Sequence, residues 1–193
     1  QPLEDGTVTI SRARSTTCFP AAFMLIASMN PCPCGYRGDP NRDCQCTVPQ
    51  VERYMSKISG PLLDRIDIHL EVSAVPFDEL AAKQPGTSSD AIREQVSVAR
   101  EIQQKRFENS RSLGHHWNAR MTTQEVRHHC HIEKKPMDLL RTAVSNLGLS
   151  ARAHDKVLRV ARTIADLDRA ETICAQHISE AIQYRLLDRK LWT

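Results

Sequence analysis

The run FMLIAS, Phe23 to Ser28, leads through Met29 and Asn30 into a loop with four cysteines in two Cys-x-Cys pairs. A short, nearly continuous apolar run predicts a strand buried on both faces, as in α/β proteins. Asn30 then stands at the carboxyl end of that strand, where α/β enzymes place polar groups that meet a ligand. An asparagine before a proline is by itself a common turn start. Its place directly after the apolar run is what suggests an amide able to orient a water or touch a terminal phosphate.

The loop, residues 30–47, shows no apolar periodicity and is too polar to fix itself by burial. Cys32, Cys34, Cys44 and Cys46 are the candidate staple. Between the pairs lie Gly35, Gly38, Asp39, Pro40 and Asn41, residues that let the chain reverse and bring both pairs together. Four thiolates on one tetrahedral zinc make a closed structural site with no open position for catalysis. The tight Cys-x-Cys spacing departs from the usual Cys-x2-Cys, and free or disulfide-paired thiols are the competing reading.

The remaining residues read as α/β followed by helices only. Asp5-Gly6 signals a turn, and rough alternation predicts a strand at 7–12. A short helix is expected at 49–57, starting at Pro49. RIDIHLEV, Arg65 to Val72, alternates strictly and predicts another strand. Residues 76–90 read as a connector between a first domain, 1–75, and a helical domain, 91–193. Ser88 to Asp90 offer caps for a helix to about Phe107, with Ile92, Val96 and Ala99 on one stripe. Thr122 to Glu125 fits a capping box. A helix around Leu139 to Leu147 should stop at Gly148. Ser150 should open a helix with Val157, Ala161, Ile164 and Leu167 on one side. Ile178, Ala181, Ile182 and Leu186 mark the last helix.

Composition excludes some functions. Aromatic residues are 5% of the 193, which argues against a base-stacking RNA-binding sheet. The net charge of +3 is too small to identify nucleic-acid binding on its own. No run approaches the roughly 18 apolar residues of a membrane span, so no membrane is expected. Cys18, Cys130 and Cys174 outside the cluster bring the cysteines to an odd seven, which favours a reducing, cytoplasmic setting.

Arg65, flanked by Asp64 and Asp67, fits a surface salt bridge or an arginine offered to a phosphate, and spacing does not separate the two. Arg152 opens a helix, where a cation opposes the dipole but suits an anionic ligand. Arg159 and Arg162 further along read as a solvated face. His128, His129 and His131 surround Cys130 without a third ligand at helical spacing, and His115-His116 have no evident partner. No glycine precedes a lysine, so the chain has no GxxxxGK[ST] phosphate loop. Glu4-Asp5 is a poor candidate for a magnesium-holding acid. The chain alone is expected not to hydrolyse ATP, and its opening Gln1 suggests a piece of something longer.

These segments resemble the C-terminal part of the magnesium-chelatase-like AAA+ ATPases of the YifB/ComM type. QPLEDGTVTISRA looks like the segment after the magnesium-holding acid, and FPAAFMLIASMNPCPCGYRGD like the family's most distinctive stretch. SGPLLDRIDIHLEV resembles its arginine-finger region. LSARAHDKVLRVARTIADLD and HISEAIQYR resemble the sensor 2 helix and the terminal helix, and WNAR a variant of the family's Phe-Asn-Ala-Arg. The resemblance implies the second half of an AAA+ core followed by a helical lid. It implies that Asn30 is sensor 1, that Arg65 is a finger acting in a neighbouring subunit, and that Arg152 is sensor 2. Arg12 and Arg14 would touch a DNA backbone from a hairpin facing a central pore. The implied whole protein is a hexameric ring using ATP with magnesium, associated with DNA branch migration in natural transformation. A protein-remodelling or chelatase-type motor that binds no DNA is the alternative.

Overall fold

A computed structural model of the chain describes residues 2–76, 81, 86–108, 117–148 and 150–185. It divides into two compact units, Gln1–Ile66 and Asp67–Thr193. His115-His116 and Leu186 lie outside the described residues.

The first unit opens with a single helical turn, α1 (Pro2–Asp5), and an antiparallel hairpin of β1 (Thr7–Arg12) and β2 (Ser15–Pro20). Thr7 pairs with Pro20 and Arg12 with Ser15, so the chain reverses at Ala13-Arg14. Gly6 separates α1 from β1 at φ 64, a backbone that glycine adopts without a Cβ clash. Its N–H donates to Pro2 O at 3.1 Å, and its carbonyl accepts from the Ala21 N–H at 2.7 Å. Those bonds fix α1 to the base of the hairpin. The cysteine loop follows, then α2 (Val48–Met55) and α3 (Gly60–Arg65), each with Pro in its first turn. The Thr47 N–H donates to Gln50 Oε1 at 2.9 Å, so α2 begins on a local cap.

Two expected strands are absent from this unit and its exit. Residues 23–28 form no ladder, and Met24 and Ile26 are 82% and 81% exposed. Arg65 ends a helix instead of starting a strand, and 66–76 carries no regular element. Ile68, Leu70 and Val72 are likewise exposed. Both segments have the right side chains for a sheet. Strand geometry also needs a neighbouring strand to ladder with, and among the described residues the one sheet is the β1–β2 hairpin, which neither segment joins.

The second unit builds a core from α4 (Ser89–Phe107), a 3-10 turn (Asn118–Arg120), α5 (Thr123–His129), α6 (Lys134–Leu147), α7 (Ala151–Leu167) and α8 (Ala175–Gln183). α7 is central. Ala153, Val157, Ala161 and Ala165 recur every four residues and are buried, and small residues there let α4, α5 and α8 approach. Phe107, Met121, Val126, Leu140, Ile178 and Ala181 close around that stripe. On α4 only the C-terminal part of the expected stripe is covered: Ala99 is buried, while Ile92 and Val96 are exposed.

Local signals set the helix ends. The Ser88 hydroxyl accepts from the Ala91 N–H, and Ser150 from the Ala153 N–H. Thr122 and Glu125 form the reciprocal capping box. α6 ends at Gly148, φ 62, in the left-handed region. Asp67 and His69 tie the segment after Arg65 to this unit, through Lys156 Nζ at 2.8 Å and the Tyr184 carbonyl at 2.9 Å.

Candidate functional site

The loop after Asn30 brings all four cysteines together. Their sulfurs lie within 4.8 Å of one another, and no disulfide joins them. Cys32 Sγ is 3.3 Å from Cys34 Sγ and 3.6 Å from Cys44 Sγ, and Cys34 Sγ is 3.6 Å from Cys44 Sγ. Four sulfurs at ~2.3 Å from one zinc stand roughly 3.8 Å apart, so the cluster has the dimensions of a tetrahedral thiolate site. Gly35 (φ 85) and Gly38 (φ 83) make the reversals that bring the pairs face to face. The Gly35 N–H donates to Cys32 O at 3.0 Å, closing a tight turn around the first pair.

The thiols are electrostatically unequal. The Tyr36 backbone N–H and then the Cys32 thiol stabilise the Cys34 thiolate and bring its pKa down to about 6. The Cys34 backbone N–H favours the Cys46 thiolate, but the Cys34 side chain and burial outweigh it and push Cys46 up to about 12. Cys32 and Cys34 are thus shifted down, while Cys44 and Cys46 are shifted up. That is the behaviour of converging thiols that a divalent cation would relieve. The loop's flank is braced by Arg42, which donates to the Tyr36 hydroxyl at 2.8 Å and sits over its ring.

Asn30 is exposed and packs on this turn: a Cβ on Gly35 would lie 3.8 Å from Asn30 Nδ2. The cysteine-held turn therefore forms one wall of the Asn30 amide. Arg65, at the end of α3, donates from Nη1 to Pro61 O at 2.7 Å and pairs through Nη2 with Glu4 Oε2 at 3.0 Å. Sequence reasoning weighed a salt bridge for Arg65 but named its neighbours Asp64 and Asp67. Glu4, the carboxylate that pairs with Nη2, is 61 positions away in α1 and carries no local signal. Arg12 closes β1 and Arg14 sits in the hairpin turn, both exposed. Arg152 is exposed in the first turn of α7.

Arg162, expected on a solvated face, is instead 4% exposed. It donates from Nε to Asp166 at 3.1 Å and from Nη1 to the Glu171 carbonyl at 2.8 Å. Asp166 is fully buried and also accepts from Arg106 and from Asn118 Nδ2 at 2.8 Å. Trp117-Asn118-Ala119-Arg120, singled out only by resemblance, thus supplies a buried amide to a charge network. His128 and His129 face each other with their Nδ1 atoms 3.4 Å apart, and burial lowers the pKa of His129. His131 lies past the end of α5. No described helix is long and apolar enough to cross a membrane.

A small α/β segment with a four-cysteine loop and a helical second unit built on a long central helix is the class this structure defines. A family model described as magnesium chelatase, subunit ChlI, matches residues 1–80, and one described as magnesium chelatase, subunit ChlI C-terminal, matches residues 86–185. The chain belongs to this magnesium-chelatase family. It is 41% identical over 193 residues to the uncharacterized protein YifB of Escherichia coli, covering 99% of the chain and 36% of YifB. It is equally 41% identical over 194 residues to the competence protein ComM of Haemophilus influenzae, covering 99% of the chain and 36% of ComM. A Mycobacterium bovis relative is 35% identical over 184 residues, 95% of the chain and 35% of its own length. The chain therefore spans little more than a third of the length of these relatives.

Proposed function

We propose that the whole protein is an AAA+ ATPase that assembles as a hexameric ring and couples ATP hydrolysis to movement along DNA. The competence role in the name of the Haemophilus relative makes branch migration during uptake of DNA the specific task proposed. This chain would supply the residues that sense and complete the nucleotide site, together with the helical lid. Asn30 would orient the attacking water, and Arg65 would stabilise charge on the terminal phosphate held by a neighbouring subunit. Arg152 would reach the same nucleotide from the lid. ATP and magnesium would be held chiefly by chain outside residues 1–193. Arg12 and Arg14, exposed at the tip of the hairpin, would meet a phosphate backbone.

The observation that carries this reading is the apolar run before Asn30. Phe23, Met24, Leu25 and Ile26 are exposed, a state that folded proteins avoid over a contiguous patch. Strands from elsewhere in the protein, pairing on both sides of this run, would bury it as the central strand of an ATPase core. They would also bring Asn30 to the sheet's carboxyl edge.

The zinc, held by Cys32, Cys34, Cys44 and Cys46, would staple the loop and take no part in the chemistry. The free cysteines suit a reducing, cytoplasmic setting.

The test is ATP turnover by the whole protein with and without single-stranded and branched DNA, over a series of salt concentrations. Turnover stimulated by DNA, with an affinity that falls steeply with salt, supports a DNA motor. Substantial turnover indifferent to DNA supports the protein-remodelling or chelatase-type motor instead.

A further inference from the structure

We propose that Glu4 is the positioning residue of the finger: its carboxylate sets the guanidinium of Arg65 in the orientation from which it meets a neighbouring subunit's nucleotide. The inference rests on the reading of Arg65 just given, and goes beyond it by assigning a task to α1.

An arginine side chain has four rotatable bonds, and an arginine used in catalysis must be ordered before or during the reaction. Order supplied by the folded protein no longer has to be found at the transition state. Arg65 is held at both terminal nitrogens: Nη1 by the carbonyl of Pro61 one turn earlier, and Nη2 by Glu4. The first contact is internal to α3, and by itself leaves the guanidinium plane free to swing about it. The second comes from a different element and fixes that plane.

Glu4 can act in this way because α1 is itself fixed. A four-residue helix has no stability of its own. It is kept in place by the Gly6 N–H to Pro2 O bond, and by the Ala21 N–H on Gly6 O at the base of the hairpin. A direct chain of contacts therefore runs from the hairpin carrying Arg12 and Arg14, through Gly6 and Glu4, to Arg65.

The pair is neither sealed in the core nor loose on the surface, with side-chain exposures of 26% for Arg65 and 37% for Glu4. A half-exposed pair of this kind adds little to stability. Orientation is the larger consequence, and it separates this role from a purely structural one.

The experiment uses the whole protein and compares Glu4→Ala, Glu4→Gln and Arg65→Ala by steady-state ATP turnover, ring assembly and thermal midpoint. Glu4→Ala should lower kcat at least about 10-fold, leave KM for ATP within about 2-fold, and leave rings and midpoint near the parent's. Glu4→Gln keeps an acceptor oxygen for Nη2 and should recover most of the rate. Unchanged kcat in Glu4→Ala beside a dead Arg65→Ala overturns the positioning role and spares the finger. A raised kcat means that Glu4 restrains Arg65, and also overturns it. Full activity in Arg65→Ala removes the finger and this inference together. If Glu4→Ala loses rings or midpoint along with rate, the role is structural and the proposal fails.

Discussion

Asn118 Nδ2 donates to Asp166 Oδ2 at 2.8 Å, joining the 3-10 turn to the last turn of α7 across 48 positions of sequence. Asp166 is fully buried, and Arg106 and Arg162 compensate its charge. Asn118 also receives Arg106 on its own carbonyl oxygen and donates to Thr163 Oγ1. Five side chains from three elements thus satisfy one another around a carboxylate that is fully buried.

Removing the acid leaves two guanidinium groups without their buried partner. Asp166→Ala should therefore destabilise the second unit by about 3–5 kcal/mol, the usual penalty for breaking a buried pair from one side. Asn118→Ala should lose less, about 1–3 kcal/mol. Denaturant unfolding of the chain, followed by helix content, measures both. Equal effects for the two variants would mean that the network is not centred on Asp166.

The cysteine cluster predicts one zinc per chain in protein purified without added metal, read by elemental mass spectrometry. Cys44→Ser should reduce that content by at least about half, since one lost thiolate leaves an incomplete tetrahedron. Removal of the metal by a chelator should cost amide protection in residues 30–47 and leave α7 protected. Among the described residues the first unit has no packed apolar cluster to replace the metal, whereas α7 sits in the core. The Asn30 side-chain amide resonance should shift on chelation, because the turn that walls it is the turn the metal holds. Metal-free protein with the same loop protection would contradict this.

Cys130 gives the chain an alkaline weakness. Its thiol is buried and donates to Met121 Sδ at 3.7 Å, and burial pushes its pKa from 9.0 up to about 11. The folded state therefore keeps its proton after the unfolded chain has begun to release it. The resulting stabilisation is whole below about pH 9 and disappears as pH rises through about 11. It amounts to about 2–3 kcal/mol, two pKa units at ~1.4 kcal/mol each. Unfolding free energy measured at intervals from pH 8 to 11 should fall more steeply in the parent than in Cys130→Ala. Parallel curves would show that the thiol is not the titrating group.

Legibility in the sequence followed locality. Ser88, Ser150, the Thr122–Glu125 box and Gly148 act within four residues of themselves, and each sets a helix end where the sequence places it. The four cysteines were legible for the same reason, since the glycines between the pairs make their meeting a local event. Strands were not, because a strand is completed by a partner that the run itself does not specify. FMLIAS and RIDIHLEV have sheet-like side chains but pair with no strand within the described residues. The ion pairs of Glu4 with Arg65 and of Asp166 with Arg106 join distant positions, and nothing near either residue announces them. Arg162 was misread because its partners are Asp166 one turn on and two carbonyls past the end of the helix. Burial of the whole group shows only in the packed unit.

The account turns most on Arg65 acting across a subunit boundary. A finger of this kind contributes on the order of 10³-fold to turnover by neutralising charge that exists only in the transition state. Arg65→Ala protein and a variant of the whole protein lacking the lysine of its phosphate loop should each be inactive alone. Arg65→Lys should also remain poor, because an ammonium cannot reproduce the planar fork. The measurement is ATP turnover on mixing the two inactive variants under conditions where rings exchange subunits. The account predicts that activity returns, from sites where an intact phosphate loop meets an intact arginine. No return of activity in rings shown to contain both variants would contradict it, and place Arg65 within its own subunit.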